Sequence, residues 1–112
     1  MSAPRLTRPL LLEAVQTAGD GAGGFAHNWA SLGTLWAELR AGSGREVAGE
    51  DVVISTIPYR ITVRAAPVGS PARPKPDQRF RDGSRIFTIL SVAERDPDAR
   101  YLVCTAREEV PA

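Results

Sequence analysis

Tyr59, Ile61, Val63 and Ala65 alternate with Arg60, Thr62 and Arg64, a two-residue period that predicts a strand with one buried and one wet face. Leu10, Leu12 and Ala14 alternate with Leu11, Glu13 and Val15, which predicts a first strand beginning after Pro9 and stopping near Thr17. A second is predicted over 34–40, where Leu35, Ala37 and Leu39 point one way and Trp36, Glu38 and Arg40 the other. Asp82-Gly83 separates Arg79-Phe80 from Ile86-Phe87 and suits a two-residue hairpin turn. A long strand from Ser84 to Glu94, a turn over 95–100 and a returning strand from Tyr101 to Arg107 complete a C-terminal meander.

The segments between these runs break the pattern. Four glycines lie between Gly19 and Gly24, which predicts a loop, and four prolines between Pro67 and Pro76 remove ladder donors, so no strand runs through them. Ser43, with Glu46 three residues on, is placed to cap a short helix starting at Gly44 or Arg45, and Gly49 ends it. The expected class is mainly β: a single domain over residues 1–112, built as a small antiparallel barrel or sandwich with one short helix and long loops.

Composition narrows the picture. The 112 residues are 43% apolar and 24% charged, with a formal net charge of +1, values of a folding chain without an overall pull toward polyanions. So short a chain buries a small core, which makes oligomerisation a reasonable expectation. No apolar run reaches the roughly 18 residues of a membrane span, and the N-terminus does not read as a secretory signal, so synthesis and residence in the cytoplasm are expected.

Candidate chemistry is sparse. His27 is the only histidine and Cys104 the only cysteine, which leaves neither a clustered-histidine metal site nor an internal disulfide, and Cys104 falls in an alternating strand where a thiol packs as a small apolar group. Asp96 and Asp98 flank Pro97 and read as turn formers, Glu108 and Glu109 as solvated charge. The Gly19–Gly24 run lacks the Gly-Lys-Ser/Thr ending of a phosphate loop. No catalytic residue, metal or cofactor is expected. Charge, however, is uneven: residues 60–85 carry Arg60, Arg64, Arg73, Lys75, Arg79, Arg81 and Arg85 against Asp77 and Asp82, a local +5, while the segments on either side are each at −2. That distribution suits contact with phosphates, complementary faces of neighbouring copies, or an ordinary wet sheet face. Trp29 and Trp36 are each suited to anchor a partner or to close a barrel end.

The block Trp29-Ala30-Ser31-Leu32-Gly33-Thr34-Leu35-Trp36-Ala37-Glu38-Leu39-Arg40, followed by Ser43-Gly44-Arg45-Glu46, resembles the tailed-phage head–tail joining (head-closure or stopper) family, whose members also occur in gene transfer agents. Tyr59-Arg60-Ile61-Thr62-Val63-Arg64 and Asp82-Gly83-Ser84-Arg85-Ile86-Phe87-Thr88-Ile89 extend the likeness over nearly the whole chain.

The resemblance implies a small β-barrel and no enzyme. It implies a homo-oligomeric ring, a hexamer, at the particle neck below the portal-bound adaptor and above a tail terminator or tail tube protein. The chain would be made in a bacterial host's cytoplasm and would hold packaged double-stranded DNA, with no membrane partner. The stretch matching the channel loop is about Ala41 to Thr56, which gives Ser43, Gly44, Arg45, Glu46, Val47, Gly49, Glu50 and Asp51 as gate residues. Its glycines permit several backbone conformations, Val47, Val52, Val53 and Ile54 can pack or add strands, and Glu46, Glu50 and Asp51 would repel phosphate. Trp36, Arg60, Arg64, Arg79, Arg81 and Arg85 are the expected contacts between subunits or rings. The alternative is a small OB-like or SH3-like nucleic-acid-binding module, suggested by the barrel and the local +5.

Overall fold

The computed structural model describes residues 3–19, 24–42, 45–48 and 53–109. Eight strands are formed: β1 (Arg8–Gly19), β2 (Phe25–Ala41), β3 (Arg45–Ala48), β4 (Val53–Thr56), β5 (Pro58–Arg64), β6 (Arg79–Asp82), β7 (Arg85–Glu94) and β8 (Tyr101–Glu108). Six of them close an antiparallel barrel in the order β1-β2-β5-β8-β7-β6, and β3 and β4 form a separate two-stranded sheet.

Alternation explains the closure. Leu10 and Leu12 of β1, Ala37 of β2, Ile61 and Val63 of β5, Phe80 of β6, Phe87 and Ile89 of β7, and Leu102, Cys104 and Ala106 of β8 all point inward and are buried. Each large side chain so buried stabilises the fold by roughly 1.5–3 kcal/mol. Tyr59 meets Phe87 edge to face at 5.2 Å. Closure also removes most of the open sheet edge that a six-stranded sheet would otherwise expose.

Three expectations are corrected. No helix occurs among the described residues: Arg45–Ala48 is a strand, paired antiparallel with Val53–Thr56. A helix of about one turn bounded by glycines does not repay its nucleation, whereas cross-strand pairing satisfies the same backbone groups. The second strand is also far longer than 34–40, because a bulge at Leu32 puts the period out of step: Leu12 faces Gly33 and Glu13 faces Ser31. Gly33 takes up the distortion at φ +128°. Finally, Asp82 pairs with Arg85, so the two-residue loop is Gly83-Ser84 with Gly83 at φ +61°, the first central position that favours glycine in a type II′ turn.

Two hairpins leave the barrel. β6 pairs with β1 only at Leu11, Leu12 and Glu13, and β5 pairs with β2 only from Ala37 to Ala41. Beyond those points β1 and β2 continue alone as a two-stranded arm. With the β3–β4 hairpin, the arm raises the radius of gyration to 15.8 Å and the longest dimension to 54 Å, against roughly 13 Å expected for the radius of a compact chain of this length.

Candidate assembly interface

The arm is fastened where it leaves the barrel. Glu13 and Arg79 are paired residues on adjacent strands with side chains on the outer face, and the Arg79 Nε–H donates to Glu13 Oε1 at 2.7 Å while Arg81 Nε–H reaches the same oxygen at 3.2 Å. The Arg79 guanidinium also lies 3.9 Å from the centroid of the Trp29 ring, on the arm itself. Burial pushes the Glu13 carboxyl up, but the two arginine hydrogen bonds outweigh it and hold the group below its ordinary range.

A second polar cluster caps one mouth of the barrel. Arg85 grips Glu108 through two hydrogen bonds of 2.8 and 3.0 Å and contacts the Tyr59 hydroxyl at 3.4 Å. Its guanidinium lies 5.0 Å from the Phe87 ring centroid. The Arg85 hydrogen bond holds the Glu108 carboxyl low against the opposing effect of burial. Beside it Arg8 pairs with Asp82.

The six residues expected at contacts therefore divide. Arg79, Arg81 and Arg85 are occupied by Glu13 and Glu108 within the chain. Arg60 and Arg64 stand exposed on the outer face of β5. Trp36 is 57% exposed on the outer face of β2, opposite Pro9. Trp29 and Val15 are directly opposite each other on the arm, 38% and 46% exposed; on the same outer face the Glu13–Arg79 pair separates them from Pro9 and Trp36, so the face carries two apolar spots flanking a polar one. Three of the seven cations of 60–85 are thus engaged within the chain, by two carboxylates between them, while Arg60, Arg64 and Lys75 stay exposed.

Of the gate residues, Arg45, Glu46 and Val47 fall in β3, while Ser43, Gly44, Gly49, Glu50 and Asp51 lie outside the described residues. The hairpin leaves the barrel at Gly42, whose N–H donates to the Pro58 carbonyl at 2.6 Å, and β3 and β4 pair with each other rather than with a barrel strand. Cys104 is buried in the core, and desolvation pushes its thiol up to about 12, the behaviour of a packing residue rather than a nucleophile.

The Glu13 cluster was not anticipated from the sequence. Its signature was a single acid inside an apolar alternation, together with the Arg79-Phe80-Arg81 pattern that puts two cations on one strand face.

The family model of the phage head completion protein matches residues 1–109. The chain belongs to the phage head completion protein family. Among solved structures, a chain of a particle described as "Virion of native gene transfer agent (GTA) particle" is 56% identical, with a TM-score of 0.81, and the match covers 98% of this chain and 100% of that one. No curated protein matches. Family membership makes this chain a structural, head-associated virion component with a role in closing the head, in accord with the head-closure likeness of the Trp29–Arg40 block.

Proposed function

We propose that this head completion protein closes filled heads as a ring of six copies at the neck, below the portal and adaptor, where it retains double-stranded DNA and presents a seat for the tail. The observation that carries this reading is the β3–β4 hairpin, inserted between two barrel strands and paired with neither. A lone two-stranded hairpin is marginal in water, so it suits an element completed by like hairpins around a shared channel. Glu46, Glu50 and Asp51 within the same insertion would disfavour lasting contact with phosphate and let DNA slide once the hairpins part.

The barrel does not depend on the insertion for its pairing, which makes a clean test available. Heads are assembled with a variant in which residues 45–56 are replaced by a short Gly-Ser link. The variant is expected to enter particles in normal amount while their DNA becomes nuclease-sensitive. Full nuclease protection in such particles would refute the gating role, and tails attaching normally to heads that lack the chain altogether would refute the docking role.

A further inference from the structure

The outer wall of β2, β5 and β8 carries a recess of about 330 Å³ that none of the features above uses. It is lined by Glu38 and Arg40 of β2, Arg60 and Thr62 of β5, Val103 of β8 and Arg95, and the N-terminal residues Ala3 and Pro4 cover one side. Arg40 and Arg60 are directly opposite each other across the β2–β5 pair, an arrangement that repels unless an anion intervenes.

The one carboxylate in the lining is already engaged. Glu38 Oε1 faces the Arg40 Nε at 3.2 Å, and Oε2 accepts the Arg5 backbone N–H at 2.8 Å. The Arg60 side chain has no hydrogen bond or ion pair among the described residues, although its backbone sits in the β2–β5 and β5–β8 ladders. Arg40 is paired with Glu38, and Arg95 with Asp96 at 3.9 Å and with the Tyr101 ring, which leaves Arg60 as the lining cation without a carboxylate partner among the described residues.

We propose that this recess is a docking pocket for an acidic segment of the head protein on which the chain seats, with Arg60 as its anchor and a carboxylate of the partner completing the Arg40–Arg60 pair. The proposal rests on the head-closure reading above. Its size and shape favour protein over DNA: the space takes one or two side chains, and the Ala3–Pro4 wall interrupts the open run of cations that tracks a nucleic-acid backbone. A second copy is a poor occupant. This chain's own acidic turn, Glu94 to Asp98, supplies Arg95 to the recess wall, so donor and acceptor surfaces adjoin, and like copies meeting there would form a twofold pair instead of a ring.

The test uses the full-length chain and purified heads made without it, with bound chain measured after pelleting. Arg60→Glu is expected to weaken binding at least tenfold, Arg60→Lys to retain most of it, and Lys75→Glu, the same charge change on an exposed loop residue, to leave it unaltered. Raising salt should weaken the wild type and not Arg60→Glu. Thermal melting of each variant within a few degrees of wild type establishes that the fold is intact. Wild-type head binding by Arg60→Glu overturns the proposal. So does a loss confined to binding of a short DNA duplex, or one confined to self-association, with head binding unaltered. Heads without the chain that keep their DNA and take tails would defeat the head-closure reading itself; heads that leak but are fully restored by Arg60→Glu would defeat only the recess.

Discussion

Replacing Glu13 tests whether a single buried ion pair fixes the arm to the barrel. In Glu13→Ala, Arg79 keeps its place against the core edge but loses its counter-charge, and the side chains of both Arg79 and Glu13 are only 10% exposed. Stranding one partner of a buried pair costs about 3–5 kcal/mol. Arg81, at 37% exposure, has enough water to add little, and the Arg79–Trp29 contact is common to wild type and variant and cancels in the difference. The net expectation is a loss of about 3 kcal/mol, which for a chain of this size is a fall in Tm of roughly 10–20 °C. Glu13→Gln, which retains an acceptor oxygen, should lose about half as much.

Thermal unfolding followed by circular dichroism gives the size of the effect, and hydrogen exchange locates it. Protection should fall first at 14–19 and 25–30, the part of the arm beyond the last β6 contact, before the barrel core opens. The double variant Glu13→Leu with Arg79→Met should recover most of the loss, since an apolar pair of similar volume replaces the ion pair without leaving a buried charge. Asp82→Ala serves as the control, because the Arg8–Asp82 side chains are 41% and 35% exposed and their separation should cost less than about 1 kcal/mol. A Glu13→Ala melting point within about 3 °C of wild type would refute the claim that this pair carries the junction.

The barrel was legible because its evidence is local: period two in Tyr59–Ala65 and Tyr101–Arg107, and a glycine turn between Phe80 and Phe87. The outer half of β2 was not, since one extra residue at Leu32 exchanges inward and outward positions and erases the alternation across Phe25–Thr34. The supposed helix at Arg45 failed for a related reason. A capping pattern is a statement about one end of a segment, and strand pairing with Val53–Thr56 depends on residues five to eleven positions away. The contact surface was half legible: sequence locates cations but not their partners, so Arg79, Arg81 and Arg85 looked as available as Arg60 and Arg64 until Glu13 and Glu108 were placed beside them.

Three further outcomes are expected. Cys104 should resist thiol reagents at neutral pH until the chain unfolds, because burial raises its thiol to about 12; rapid labelling of the native protein would show that β8 opens locally. Stability should fall as pH drops below about 4.5. Glu13 and Glu108 are both held below that ordinary value when folded, so their contribution is present above the unfolded pKa and disappears as the folded carboxyls protonate. Acid titration of Glu13→Gln with Glu108→Gln should be distinctly flatter. Deleting Leu32 should straighten the arm. The deletion leaves Gly33 opposite Leu12 and Ser31 opposite Glu13, so every side chain keeps its face and the ladder becomes regular, at a loss of about 1–2 kcal/mol because the partly buried Leu32 gives up its packing against the core. The arm's direction, however, was set by the bulge, since an extra residue bends and twists the strand that holds it. If the exposed Val15–Trp29 and Pro9–Trp36 pairs form an assembly surface, the deletion variant should keep a cooperative melting transition yet fail to enter particles, and normal incorporation would show that the angle of the arm is not used.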